Sequence, residues 1–102
     1  MTYENADVWS TLADQNRRSI LMELAAGERT VGELTEALPV SQPAVSQHLK
    51  VLKHVGVVSD RAEGTRRIYR LNEAGVAALR DQLDTFWRRT MSGFEDLMKE
   101  DG

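Results

Sequence analysis

Residues 38–52 read Leu38-Pro39-Val40-Ser41-Gln42-Pro43-Ala44-Val45-Ser46-Gln47-His48-Leu49-Lys50-Val51-Leu52. The stretch holds a helix stop, a helix start and one apolar stripe. Pro39 cannot continue a helix, and it pushes the residue before it toward extended backbone. Ser41 offers a side-chain oxygen to the open N–H groups of a following first turn, and Pro43 sits where its missing N–H is no loss. Val45, Leu49 and Leu52 then recur at spacings of four and three, the mark of a helix with one inward face, and Gly56 ends it. At about 100° per residue the outward side centres on Pro43, Gln47 and Lys50, flanked by Ala44 and Ser46. Gln42 and His48 lie nearer the buried side, although Gln42 is in the first turn and can project past the helix end. Val51 stands at the edge of the outward face as its one large aliphatic.

Working outward, Thr30-Val31-Gly32-Glu33 has the form of a capping box and predicts a short helix through Leu34 and Leu38. Two short helices joined by Pro39-Val40 form a helix-turn-helix. Earlier, Val8, Trp9, Leu12 and Ala13 predict a helix over about residues 5–13. Asp14 then caps a second helix carrying Ile20, Leu21, Leu24 and Ala25, which stops at Gly27. After Gly56 the period changes to alternation. Val57 to Arg61 read as a strand, Glu63-Gly64 as a tight turn and Arg66 to Leu71 as the return strand, with one of Ile68 and Tyr69 in the core. Asn72 caps a last helix over about residues 73–99, which Gly75 and Gly93 weaken without breaking. The fold class is mainly α with a small β-hairpin, a winged helix-turn-helix in the order α-α-α-α-β-β-α, in a single domain over residues 1–102.

Composition bounds the chemistry. The chain has 102 residues, with 41% hydrophobic and 28% charged, an ordinary globular composition. It has no cysteine, which excludes a disulfide framework, a thiolate metal site and a cysteine nucleophile. No apolar run is long enough for a bilayer and no charged-then-apolar leader is visible, so no membrane partner is expected and the expected location is cytoplasmic. There is no glycine-rich phosphate loop and no nucleophile–base pair in a recognisable context. Asp81 and Asp84 belong to a charged helix face. His48 and His54 are six apart, which is not the three or four of a helical chelate. Neither enzymatic activity nor a metal or other cofactor is expected.

Charge is unevenly placed. The whole chain is net −3 at pH 7. Residues 41–72 carry six basic side chains (Lys50, Lys53, Arg61, Arg66, Arg67, Arg70) against Asp60 and Glu63, between two acidic flanks. A local basic stripe, rather than whole-chain charge, decides where phosphate docks. A helix fits the DNA major groove, glutamine pairs bidentately with adenine, and a basic hairpin tip reaches neighbouring phosphates. The candidate DNA-contacting residues are Ser41, Gln42, Pro43, Ala44, Ser46, Gln47, His48, Lys50 and Lys53 from the helix and Arg61, Thr65, Arg66 and Arg67 from the wing. At least two of Arg61, Arg66 and Arg67 are expected on phosphate. For His48, local packing and DNA contact both stay open, as do phosphate contact and an intramolecular ion pair for Arg17 and Arg18. His54 reads as solvated.

The last helix carries Val76, Leu79, Leu83, Phe86, Trp87, Met91, Phe94, Leu97 and Met98 at three/four spacing. About 26 residues span about 39 Å, longer than so small a domain can cover. A partner subunit is the simplest cover, with Val8, Trp9, Leu79, Leu83, Phe86, Trp87, Met91, Phe94, Leu97 and Met98 as the expected interface. The alternative cover is a hydrophobic effector lodged between this helix and Trp9.

The run Ser41 to Leu52 resembles the recognition helix of the ArsR/SmtB family of bacterial winged-helix repressors. The likeness continues upstream in Leu12 to Leu21 and downstream through Gly56-Val57-Val58 and the wing residues Arg66-Arg67-Ile68-Tyr69, covering roughly residues 8–71. The resemblance implies a homodimer that binds a palindromic double-stranded operator and represses transcription until a signal weakens binding, its terminal helices building the dimer interface. Autoregulation and a small-molecule effector of unidentified chemistry are compatible with it. In metal-sensing members a thiolate pair falls where this chain has Thr30 and Gly32, and a second site uses Asp and His on the last helix, which here has no His. The competing reading is a winged-helix protein–protein interaction module without DNA binding, which need not gather six basic residues in and just after its reading helix.

Overall fold

A computed structural model of the chain describes residues 8–100. Its elements run α1 (Val8–Ala13), α2 (Gln15–Ala26), β1 (Arg29–Thr30), α3 (Val31–Ala37), α4 (Gln42–Val55), β2 (Val58–Glu63), β3 (Arg66–Leu71) and α5 (Glu73–Glu100). The expected start of the first helix, residues 5–7, lies outside the described residues.

Helices α2 to α5 each begin on a side chain that satisfies otherwise open N–H groups. Asp14 Oδ1 accepts from the N–H groups of Asn16 (2.8 Å) and Arg17 (3.1 Å). Thr30 and Glu33 close a reciprocal capping box at 2.9 and 3.1 Å. Ser41 Oγ accepts from the Ala44 N–H at 3.4 Å, and Asn72 Oδ1 from the Ala74 N–H at 3.2 Å. Strands β2 and β3 pair from Val58↔Leu71 to Glu63↔Arg66, so the turn is Gly64-Thr65, one residue later than Glu63-Gly64. Gly64 has φ 65°, the positive value that a two-residue hairpin turn needs at its first position.

The hairpin is in fact two strands of a three-stranded antiparallel sheet, order β1-β3-β2, with Arg29 and Thr30 opposite Tyr69 and Ile68. Two residues are too few to show an alternating pattern, and Thr30 also serves as a helix cap. The observed order is therefore α-α-β-α-α-β-β-α.

The core gathers Ile20, Leu24, Leu34, Val45, Leu49, Leu52, Val57 and Val58. Ile68 is buried, and Tyr69, Leu71, Val76 and Leu79 pack partly against the core. Val51 corrects the helical-wheel reading, because it is buried. Helices α1, α2 and α3 and strand β2 all pack on α4, so its buried arc is wider than the Val45-Leu49-Leu52 stripe. Gly75 also has a reason the sequence hides. A Cβ there would stand 1.7 Å from the Gly56 carbonyl oxygen, so only glycine lets the first turn of α5 rest on that backbone.

Helix α5 then leaves the body. Its 28 residues would span about 42 Å, and the molecule measures 64 × 26 × 24 Å. From Phe86 to Lys99 every residue is exposed. No helix among the described residues is long and apolar enough to cross a membrane.

Candidate nucleic-acid interface

Helix α4 presents the face its spacing predicts. Ser41, Gln42, Pro43, Gln47, Lys50 and Lys53 are exposed, while Ala44, Ser46 and His48 are half-buried. On the opposite side Val45, Leu49 and Leu52 are buried in the core. His48 is engaged within the fold: Arg17 Nε donates to its Nδ1 at 3.4 Å. The same guanidinium donates to the Ser10 carbonyl and hydroxyl, both at 3.2 Å, so Arg17 ties α1 to α4. Arg18 donates to the Leu12 carbonyl. Within the chain both arginines thus make hydrogen bonds rather than ion pairs.

On the wing, Arg61, Thr65, Arg66 and Arg67 are all exposed. The basic island is less free than its composition suggests. Arg61 makes a two-point contact with Glu28, at 2.6 and 3.0 Å, and reaches Glu63 at 3.3 Å. Asp60 accepts from Lys53 at 2.8 Å on Oδ1 and from Arg67 at 2.9 Å on Oδ2. Among the described residues, Lys50, Arg66 and Arg70 are in no ion pair, and Arg70 Nε donates to Ser59 Oγ at 3.3 Å. The Lys53 hydrogen bond, helped by Arg67 and only partly opposed by burial, holds the Asp60 carboxyl below its ordinary value. The Arg61 guanidinium lowers Glu28 and is itself raised by that carboxylate.

Sequence reasoning passed over Asp60 and Glu28 because both are acidic in a search for cations. The signal for Asp60 was available. A two-residue turn at 64–65 fixes Ala62 opposite Arg67, which puts Asp60 diagonal to Arg67 on one face of the hairpin. Glu28 lies 33 residues from Arg61 and had no such signal.

The terminal helices carry a second surface. Trp9, Phe86, Trp87, Met91, Phe94, Leu97 and Met98 are each 44–57% exposed. Trp9 and Phe86 stack edge-to-face at 5.2 Å, and Phe86 and Trp87 at 5.4 Å. Leu83 is half-buried and Leu79 packs partly against its own core; the side chain of Val8 lies outside the described residues. Beside Trp9 and Phe86 runs a groove of about 410 Å³, also lined by Asp81, Gln82, Thr85, Arg89 and Thr90. Among the described residues no group of three His, Asp or Glu side chains is placed to hold a metal ion.

Comparison with known proteins agrees with this geometry. Residues 14–60, from the α2 cap through α4 into β2, match the sequence model of the family described as bacterial regulatory protein, arsR family. The chain is 53% identical to the HTH-type transcriptional regulator Rv2034 of Mycobacterium tuberculosis, over 99% of this chain and 95% of the relative. It is 33% identical to the transcriptional repressor SdpR of Bacillus subtilis, over 89% and 98% of the two chains. Among solved structures, one described as a "possible transcriptional regulator for arsenical resistance" superposes with a TM-score of 0.75 at 42% identity, covering 79% of this chain and 84% of that one. The transcriptional repressor BigR of Xylella fastidiosa superposes with a TM-score of 0.63 at 37% identity, covering 78% and 81%. With a reading helix held by the core, a basic wing beside it and relatives matching nearly end to end, the chain belongs to the arsR family of bacterial regulatory proteins, and it is a winged-helix DNA-binding transcriptional regulator, not an enzyme.

Proposed function

We propose that two copies of this chain pair through α1 and α5 and bind a two-fold symmetric operator, repressing transcription from the promoter that contains it. Each copy lays the Gln42-Pro43-Gln47-Lys50 face of α4 in the major groove, with Ala44 and Ser46 beside it. Lys50, Lys53 and the wing cations Arg61, Arg66 and Arg67 position that helix on phosphates, and Thr65 at the wing tip meets the adjacent backbone. The observation that carries this reading is the exposed, polar and basic face of α4 standing next to an equally exposed wing. An interaction module has no need of that arrangement.

The apolar side chains of α5 supply the reason for pairing. A surface with this many half-exposed large residues is costly in water, and one reading helix sees too few base pairs to single out a site. An effector would act at the same place. A small apolar ligand in the groove beside Trp9 and Phe86 would shift the terminal helices and so change the spacing of the two reading helices. Repression by abundance alone needs no such ligand.

The test is retention of promoter fragments by the purified protein, starting with the DNA upstream of its own coding sequence, across a series of salt concentrations. Preferential binding to a subset of fragments, weakening steeply as salt rises, supports the proposal. Equal binding to all duplexes, or binding that ignores salt, refutes it.

A further inference from the structure

We propose that Asp60 is a positioning residue for DNA recognition, its one carboxylate tying the end of the reading helix to the wing. The proposal rests on the reading of α4 and the wing as the DNA-contacting elements.

Asp60 Oδ1 takes a hydrogen bond from Lys53 Nζ at 2.8 Å and Oδ2 one from Arg67 Nη1 at 2.9 Å, so each oxygen serves a different element. Lys53 lies in the last turn of α4, and Arg67 is the second residue of β3. The Asp60 side chain is only 6% exposed, whereas Lys53 and Arg67 are 55% and 54% exposed. The carboxylate therefore sits inside and the cations outside, with most of their donors unused. An ammonium has three N–H donors and a guanidinium five, and Asp60 takes one from each. Both cations remain able to meet a phosphate while still held from behind.

The placement matters for the tip, because pairing with β1 and the buried Ile68 secure only the base of β3. Val57 and Val58 anchor the base of the hairpin in the core, but every residue from Arg61 to Arg67 is exposed. On the α4 side, Asp60 is the last shielded polar tie before that tip. The contact of Arg61 with Glu28 differs in kind, since both side chains are nearly half exposed and water and salt compete for it.

A carboxylate beside a polyanion lowers affinity for any duplex, and it lies where two cations would otherwise be free to gather phosphates. Keeping it trades indiscriminate attraction for a fixed angle between helix and wing. Removing it should therefore move two quantities in opposite directions, which loss of a merely structural contact would not do. Binding to any duplex should strengthen, and discrimination between duplexes should weaken.

The experiment uses a duplex that the wild-type protein selects from a random-sequence pool and an unrelated duplex of equal length, titrated at several salt concentrations. For Asp60→Asn, discrimination should fall by about tenfold or more, the loss of roughly one well-made base contact. Binding to the unrelated duplex should rise, and the slope of log affinity against log salt should steepen by up to about one, because a negative charge that opposes the phosphates is gone. Lys53→Gln, on a side chain 55% exposed, tests the same tie from its other end. Discrimination should fall similarly while the slope does not steepen. Unchanged discrimination in either variant overturns the proposal, as does an equal weakening on both duplexes in Asp60→Asn. If the wild-type protein enriches no sequence at all, the DNA-reading assignment fails and Asp60 has nothing to position. Wild-type enrichment with unaltered variants fails the Asp60 proposal alone.

Discussion

Helices α4 and α5 carry the same signal in sequence, large apolar residues at three/four spacing, and use it for opposite purposes. In α4, Val45, Leu49, Val51 and Leu52 are all buried within the chain itself. In α5 only the first turns are spent that way, through Val76 and Leu79, and Phe86, Trp87, Met91, Phe94, Leu97 and Met98 remain open. Periodicity identifies a face but not what covers it. Length decides here, because α4 has 14 residues and stays on the domain, while α5 has 28 and runs past it. The faces left over differ too. That of α4 is small and polar with Lys50 at its centre, suited to base edges, whereas that of α5 is apolar and suited to a second copy.

The largest expected effect is on α5. Trp87→Glu places a charge in the proposed interface and should raise the dimer dissociation constant at least about a hundredfold, roughly 3 kcal/mol, read by sedimentation. A dimer of unchanged affinity would move the interface elsewhere. Next comes the direct contrast between the helices. Leu49→Ala removes a fully buried side chain and should cost about 2–5 kcal/mol of unfolding free energy. Leu97→Ala, measured at concentrations where the chain is monomeric, should cost less than about 0.5 kcal/mol. Equal costs in denaturant melts would erase the distinction between the two stripes.

Within the reading head a finer division is expected. Gln47→Ala should relax preference at one base pair by about 1–3 kcal/mol, whereas Arg66→Ala should weaken all sequences together and reduce the salt slope by about one. A wing variant that alters preference and leaves the slope intact would reverse the roles.

A modest effect is expected at a cap. Asp14→Ala should cost about 0.5–2 kcal/mol at neutral pH. Burial raises the Asp14 carboxyl, but the Arg17 N–H, His48, and the Asn16 N–H together hold it below its ordinary value of 3.8. A depressed folded value means stability present above 3.8 and lost as pH falls through the lower folded value. The difference between wild type and Asp14→Ala in thermal melts should shrink in acid. A difference that grows in acid would contradict the assignment.

Local chemistry was the legible part of this molecule. Asp14, Thr30 with Glu33, Ser41 and Asn72 cap the helices their positions in sequence announce. The outward face of α4 followed from angle alone. What stayed hidden depended on distant partners. Strand β1 exists because β3 offers it an edge, and two residues carry no period of their own. Val51 is buried because several elements converge on α4, which a single-helix projection cannot include. The basic island was counted correctly but half of it is held by carboxylates, since Glu28 meets Arg61 and Asp60 meets Lys53 and Arg67 only once the chain is folded.

Pairing through α5 would place two copies of the reading helix on one operator. Footprinting of the wild-type protein on a duplex it selects tests this most directly. The account predicts two symmetric protected half-sites with centres about 34 Å, or one helical turn, apart. A single protected half-site without a symmetric partner would contradict it.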